Sequence, residues 1–229
     1  MERIETIEFN GYQATVIIPE KPNGEWIWKT EFLYAFDQSE RALLNEGYTR
    51  VYYDASDRYG SYQAVRMMHN FYRYVIKEFS LREKCHLFGF SRGGLYAVNF
   101  SLYYPEYVAS IYLDAPVLDM KSWPPKGSKE QEELFEEYTL NEETLLRFKE
   151  NPVDNLEELF ALNLPVMLVA GAVDELVPLN ENGGVMIDFC EKNNLPLTCI
   201  IKPECGHHPH SLEDIQPIVD FVKKHSGIK

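Results

Sequence analysis

One pentapeptide restricts this chain more than any other stretch: Gly89-Phe-Ser-Arg-Gly93, entered from the apolar run that begins at Cys85 and followed by a helix-forming segment that stops before Pro105. A Gly-x-Ser-x-Gly sequence between a strand and a helix makes a sharp turn that holds the serine hydroxyl above the end of a sheet. Gly89 and Gly93 have a steric reason, since the turn leaves no room for side chains two positions either side of Ser91. The first N–H groups of the helix face the same space and favour negative charge there.

Around this turn, strands and helices alternate. Residues 4–9 and 12–18 read as strands joined at Asn10-Gly11, a hairpin signal. Residues 25–29 read as a third strand, which runs into a loop through Thr30-Glu-Phe-Leu33. A helix is expected over 37–46, stopped by Gly47, then a strand over 48–53. Residues 61–79 read as a helix capped by Ser61, with Ala64, Val65, Met68, Phe71, Tyr72 and Val75 recurring at helical spacing. Later strands are expected at 106–113, 165–171 and 197–201, and later helices at 183–191 and 211–224, the last capped by Ser211. One helix per strand predicts an α/β fold with a mostly parallel sheet of about eight strands, covered on both faces.

The 229 residues suit a single domain. Residues 118–164 break the rhythm: they hold Lys121-Ser-Trp-Pro-Pro-Lys-Gly-Ser128, an acidic run over 130–137 and helical stretches near 141–149 and 154–162. They read as a small cap inserted over one sheet edge, with Trp123 as the residue that would touch substrate. The plainer alternative is a solvated connection with ordinary packing helices.

Composition excludes several classes. A net charge of -14 opposes nucleic acid and anionic membrane as partners. The chain has no run of about 18 apolar residues to span a bilayer, and the charged, alternating Met1–Glu8 is unlike a secretion signal. The four cysteines, at 85, 190, 199 and 205, lack both zinc spacing and disulfide density, so a reduced, cytoplasmic protein is expected. Neither Gly-x-Gly-x-x-Gly nor a phosphate-binding Gly-x-x-x-x-Gly-Lys-Ser occurs, and no cofactor is expected. The aromatic content leaves a homo-oligomer open.

Ser91, Asp174 and His207 each follow a predicted strand, and loops at that end of a parallel sheet converge on one crevice. A serine needs a base to become a nucleophile, histidine titrates near neutrality, and a carboxylate fixes the imidazole tautomer. His208 and His210 share the loop and are alternative bases; Asp114, which also ends a strand, is the alternative acid. The oxyanion donors expected are the amide of Arg92 and one from Lys29 to Glu31, centred on Thr30. The Arg92 guanidinium, Trp28 and Trp123 are candidate substrate contacts. His207, His208 and His210 match no helical metal motif or zinc-finger spacing, so no metal is expected. Cys205 has nothing to activate it, and Cys85 and Cys199 read as core fillers.

The stretches Trp26-Ile-Trp28, Asp57-Arg-Tyr-Gly-Ser61, Gly89-Phe-Ser-Arg-Gly-Gly-Leu95, Ile111-Tyr-Leu-Asp-Ala-Pro-Val117, Lys121-Ser-Trp-Pro124, Gly171-Ala-Val-Asp-Glu-Leu-Val-Pro178 and Gly206-His-His-Pro-His-Ser-Leu212 resemble α/β-hydrolases, within a bacterial prolyl-oligopeptidase-like or esterase-like subgroup. The resemblance covers nearly the whole chain. It implies an α/β-hydrolase fold with Ser91 as nucleophile, Asp174 as acid and His207 as base. Members of the subgroup are similar to proteins of polysaccharide breakdown and to carbohydrate esterases. The expected activity is therefore cleavage of a carboxylic ester, of a short acyl group or a carbohydrate-linked acetyl group, through an acyl-enzyme. The alternatives are a serine peptidase or amidase using the same residues, and a noncatalytic binding protein on the same scaffold.

Overall fold

Successive side chains of a strand point to opposite faces of its sheet, and the tetrapeptide Trp26-Ile-Trp-Lys29 shows what that does here. Trp26 and Trp28 enter one hydrophobic cluster and Ile27 a second one across the sheet. The structure, a computed structural model, describes residues 1–227. Eight strands, β1 (Arg3–Phe9), β2 (Tyr12–Ile18), β3 (Trp26–Lys29), β4 (Thr49–Tyr53), β5 (Cys85–Phe90), β6 (Val108–Asp114), β7 (Val166–Gly171) and β8 (Thr198–Lys202), form one sheet. Their spatial order is β1-β2-β4-β3-β5-β6-β7-β8. The pairings β1–β2 and β2–β4 are antiparallel, so β2 alone runs against the rest of the sheet; from β4 to β8 the pairing is parallel. This is an α/β-hydrolase fold.

Eight helices follow in chain order: α1 (Gln38–Asn45), α2 (Tyr62–Glu78), α3 (Gly93–Tyr103), α4 (Lys129–Tyr138), α5 (Glu142–Arg147), α6 (Leu156–Ala161), α7 (Gly183–Asn193) and α8 (Gln216–Lys224). The apolar stripe of α2, capped by Ser61 accepting from the Ala64 amide, packs with α3, α6 and α7 against one face. Helices α1 and α8 cover the other through Leu43, Ile218, Val219 and Val222. Each large apolar side chain removed from water in these layers stabilises the fold by about 1.5–3 kcal/mol before entropy is counted.

Between β6 and β7 the chain makes its long excursion. Leu134, Leu145, Leu156 and Leu159 are buried in the same cluster as α2 and α3. Helix α4 is also pinned to the loop after β4: Arg58 Nη1 donates to Glu137 (2.8 Å) and Tyr59 Oη to Glu133 (2.7 Å).

Three expectations are corrected. Ser211 does not cap the last helix, which starts five residues later; it adopts a left-handed φ of 67° and gives its amide to Asp114 instead. Cys199 is exposed, because β8 is the last strand of the sheet and is only partly covered. Trp28 is 1% exposed and stacks on Trp26, so it is a core residue and not a substrate contact. No helix among the described residues is long and apolar enough to cross a membrane.

Candidate active site

Strand β5 reaches Ser91 through Gly89, where a Cβ would lie 2.9 Å from Gly93 O and 3.0 Å from Ala97 Cβ. Any side chain there would push α3 off the strand. Ser91 itself has a left-handed φ of 50°, a conformation that costs a non-glycine residue about 1–3 kcal/mol and persists only where the surroundings enforce it. They do so here through three backbone bonds: the Ser91 amide donates to Asp114 O (3.0 Å), and Ser91 O accepts from Val117 (2.8 Å) and Gly94 (2.9 Å).

The loops after β7 and β8 bring two partners to this hydroxyl. His207 Nε2 lies 2.9 Å from Ser91 Oγ, and His207 Nδ1 lies 2.7 Å from Asp174 Oδ2. Asp174 Oδ1 accepts from the amides of Leu176 (2.9 Å) and Val177 (2.8 Å), which fixes the carboxylate plane. With a carboxylate at Nδ1, the imidazole carries its proton there and offers Nε2 as acceptor to the serine O–H. Such a chain can draw the proton from Ser91 as its oxygen attacks, and hold the imidazolium that results.

The neighbouring histidines are placed differently. His210 donates from Nδ1 to Asp114 Oδ1 (2.8 Å), while Asp114 Oδ2 accepts from Tyr112 Oη (2.5 Å) and the Ser211 amide (2.7 Å). Asp114, fully buried, therefore serves His210 and the loop rather than His207. His208 stacks on Phe36, with ring centroids 5.6 Å apart, and makes no hydrogen bond to Ser91. Lys202 Nζ donates to Pro209 O (2.5 Å) and Ser211 O (3.1 Å), so the histidine loop is tied at both ends.

Among the described residues the amide of Arg92 donates to no acceptor, and neither do those of Glu31 and Phe32. The Thr30 amide does not share that freedom: it bonds Phe88 O at 3.0 Å as an extension of the β3–β5 ladder. Its hydroxyl lies 3.1 Å from the same oxygen and 2.8 Å from Gly93 O. Thr30 thus braces the serine turn, and its amide is already taken by the sheet.

Arg92 reaches back over that loop. Its Nε donates to Glu31 Oε2 (3.1 Å), which also accepts from Ser56 Oγ (3.0 Å). The guanidinium carbon lies 5.2 Å from the Phe32 ring centroid and 5.9 Å from that of Tyr59. Burial pushes the Glu31 carboxyl up to about 6, against the pull of Arg92. The sequence offers Glu31 as one of the candidate oxyanion amides and gives its carboxylate no role; the one signal for the carboxylate is an acidic residue directly after an apolar strand.

Ser91, His207 and Arg92 open on a cavity of about 430 Å³ walled by Phe32, Phe36 and Trp123. That volume lies in the range of small-molecule sites.

A model of the prolyl oligopeptidase family matches residues 45–229. No curated protein matches the sequence. Among solved structures, dipeptidyl peptidase 4 of Porphyromonas gingivalis is similar with a TM-score of 0.73 at 13% identity, over 98% of this chain and 35% of its own. A puromycin-hydrolyzing peptidase of Mycobacterium tuberculosis gives a TM-score of 0.72 at 12% identity, over 100% of this chain and 40% of its own. The chain spans well under half the length of these two proteins, and at such identities the likeness is one of fold.

Proposed function

Because this chain belongs to the prolyl oligopeptidase family, we propose that it hydrolyses a carboxylic-acid derivative through an acyl-enzyme on Ser91, with His207 as base and acid and Asp174 as its orienting carboxylate. The observation that carries the reading is the continuous hydrogen-bonded path from Ser91 Oγ through both nitrogens of His207 to Asp174. Ser91 Oγ attacks the carbonyl carbon as its proton passes to His207 Nε2. The tetrahedral oxyanion is taken by the amide of Arg92 and by one from Glu31 or Phe32, each worth about 3 kcal/mol in the transition state. Collapse breaks the bond to the leaving group, which receives the proton from His207. Water, deprotonated by the same nitrogen, then releases the acid and restores Ser91.

An amide of an amino acid or short peptide is the substrate class the relatives favour: one similar structure is a dipeptidyl peptidase and another a puromycin-hydrolyzing peptidase. The cavity supports a second reading, hydrolysis of a small acyl or carbohydrate-linked ester, since aromatic walls at Trp123 and Phe32 suit the flat face of a sugar or a short acyl chain. In both readings residues 118–164 form the cap that carries Trp123, Pro125 and Glu130 to the cavity.

Aminoacyl and dipeptidyl anilides, assayed beside nitrophenyl esters from acetate to octanoate and acetylated sugars, decide between them. Turnover that falls by several orders of magnitude in Ser91→Ala, with the fold unchanged, is the expected result. Equal turnover in a folded Ser91→Ala protein, or failure of a fluorophosphonate probe to label Ser91, would sink the proposal.

A further inference from the structure

His207, His208 and His210 surround one point of the cavity. Their candidate ligand atoms all lie within 4.8 Å of one another, and the three rings form a nearly equilateral set, with centroids 4.9, 4.9 and 5.0 Å apart and planes inclined at 71°, 78° and 88°. Three imidazoles on a tetrahedral zinc, at about 2.0–2.1 Å, have nitrogens about 3.3 Å apart and ring centroids about 5 Å apart. The ring spacing matches, and ligation requires side-chain rotations that bring the nitrogens from within 4.8 Å of one another to that nitrogen separation.

The surroundings of the rings add an independent argument. A ligating histidine almost always gives its other ring N–H to a carboxylate or carbonyl, which fixes the tautomer and raises ligand basicity. His210 has Asp114 at Nδ1 and His207 has Asp174, so each turns Nε2 away from its carboxylate. The His208 ring makes no side-chain hydrogen bond among the described residues and packs by ring contacts alone, stacked on Phe36 and edge-on to His207 and His210. All three line the cavity, two carboxylates stand behind them, and the chain's net charge of -14 favours a dication.

We propose that this cluster binds a divalent transition cation of the zinc type, and that the bound cation switches hydrolysis off. Ligation uses the lone pair of His207 Nε2, the same pair that accepts the Ser91 proton, so Ser91 keeps its proton and loses its base while the metal is bound. The cation is an inhibitor here and takes no part in the reaction. The inhibitory half rests on the proposed function; the binding half does not.

The test is calorimetric titration of the chelator-treated full chain with Zn²⁺, repeated with Co²⁺ for the visible absorption of a tetrahedral nitrogen site. One ion per chain is expected. His208→Ala, an exposed change with little cost to folding, and Asp114→Asn should each weaken binding by about 10-fold or more. Ser91→Ala should bind at least as tightly as the parent, since it removes the competing hydroxyl, and this arm reads correctly even if no hydrolase activity is ever found. In the parent, Zn²⁺ should block turnover and fluorophosphonate labelling together, with recovery on adding chelator. Affinity unchanged in His208→Ala, or lost in Cys199→Ser or Cys205→Ser instead, would overturn the site; tight binding at the histidines with labelling unaffected would overturn the switch.

Discussion

Lys29 Nζ lies 2.5 Å from Glu40 Oε1 with the lysine side chain 2% exposed and the glutamate not at all. The same ammonium donates to Ala35 O at 2.6 Å and sits 3.9 Å from the Phe90 ring centroid. One strand away, Arg50 Nη2 donates to Leu33 O (2.9 Å) and pairs with Asp37 at 3.0 Å, at an angle that leaves Asp37 Oδ2 without an aligned hydrogen bond. Two buried cations thus hold two carbonyls of the loop between β3 and α1, the loop from which Phe32, Ala35 and Phe36 reach the cavity.

Removing one member of such a pair leaves the other charge uncompensated inside the protein. Lys29→Met should destabilise the fold by about 3–5 kcal/mol, and Lys29→Met with Glu40→Leu should recover more than half of that loss. Urea unfolding of the three proteins measures it. A single variant as stable as the parent would show that the ion pair is not what holds the loop.

Glu31 gives a stability with a definite sign in pH. Its folded pKa of about 6 lies above the unfolded value of about 4.3, so the folded state binds more protons in the window between them. Its contribution is full below about pH 4.3 and is lost as pH rises through about 6, by roughly 2 kcal/mol. Glu31→Gln should remove that slope relative to the parent when denaturant midpoints are compared at acid and neutral pH. Parallel pH profiles for the two proteins would refute it.

Gly171 ends β7 directly beneath the histidine loop. A Cβ there would lie 2.2 Å from both Cys205 O and Gly206 O. Those atoms are backbone, so Gly171→Ala must shift the residues that carry His207. Turnover should fall by about 100-fold, as expected when a reacting group is misplaced by an ångström. Steady-state kinetics and a thermal melt together test this, and normal turnover in the variant would contradict it.

The two carboxylates should separate cleanly. Asp174→Asn is expected to lower kcat by about 10⁴ with little change in stability, through the wrong imidazole tautomer. Asp114→Asn breaks buried hydrogen bonds to His210, Tyr112 and the Ser211 amide, and should cost about 1–3 kcal/mol in stability with a smaller loss of kcat. The reverse pattern would make Asp114 the acid.

Much of this architecture was legible in the sequence because strands and turns announce themselves locally. Asn10-Gly11 marks the first hairpin, and Ser91, Asp174 and His207 each follow an apolar run closely enough to be placed at strand ends. What was hidden depends on which way a side chain faces. Trp28 is a candidate substrate contact by sequence, but β3 lies between β4 and β5 with both faces covered, so its tryptophans are core. Thr30 failed for a related reason: the ladder continues one residue past the strand and consumes its amide. Histidines 207, 208 and 210 carry the same chemistry in sequence, and only contacts with residues on other strands tell them apart. Lys29 enters the sequence reading only as a backbone donor, and its side-chain role is hidden because its partner Glu40 lies eleven residues on, in α1.

The histidine loop leaves the sheet from its outermost strand, yet Asp114 takes hold of His210 and Ser211 from the end of β6, two strands further in. Delivery and anchorage are therefore assigned to different places. Asp114 fixes the loop at His210 and Ser211 from inside the sheet, independently of β8, whose other side has no neighbouring strand among the described residues.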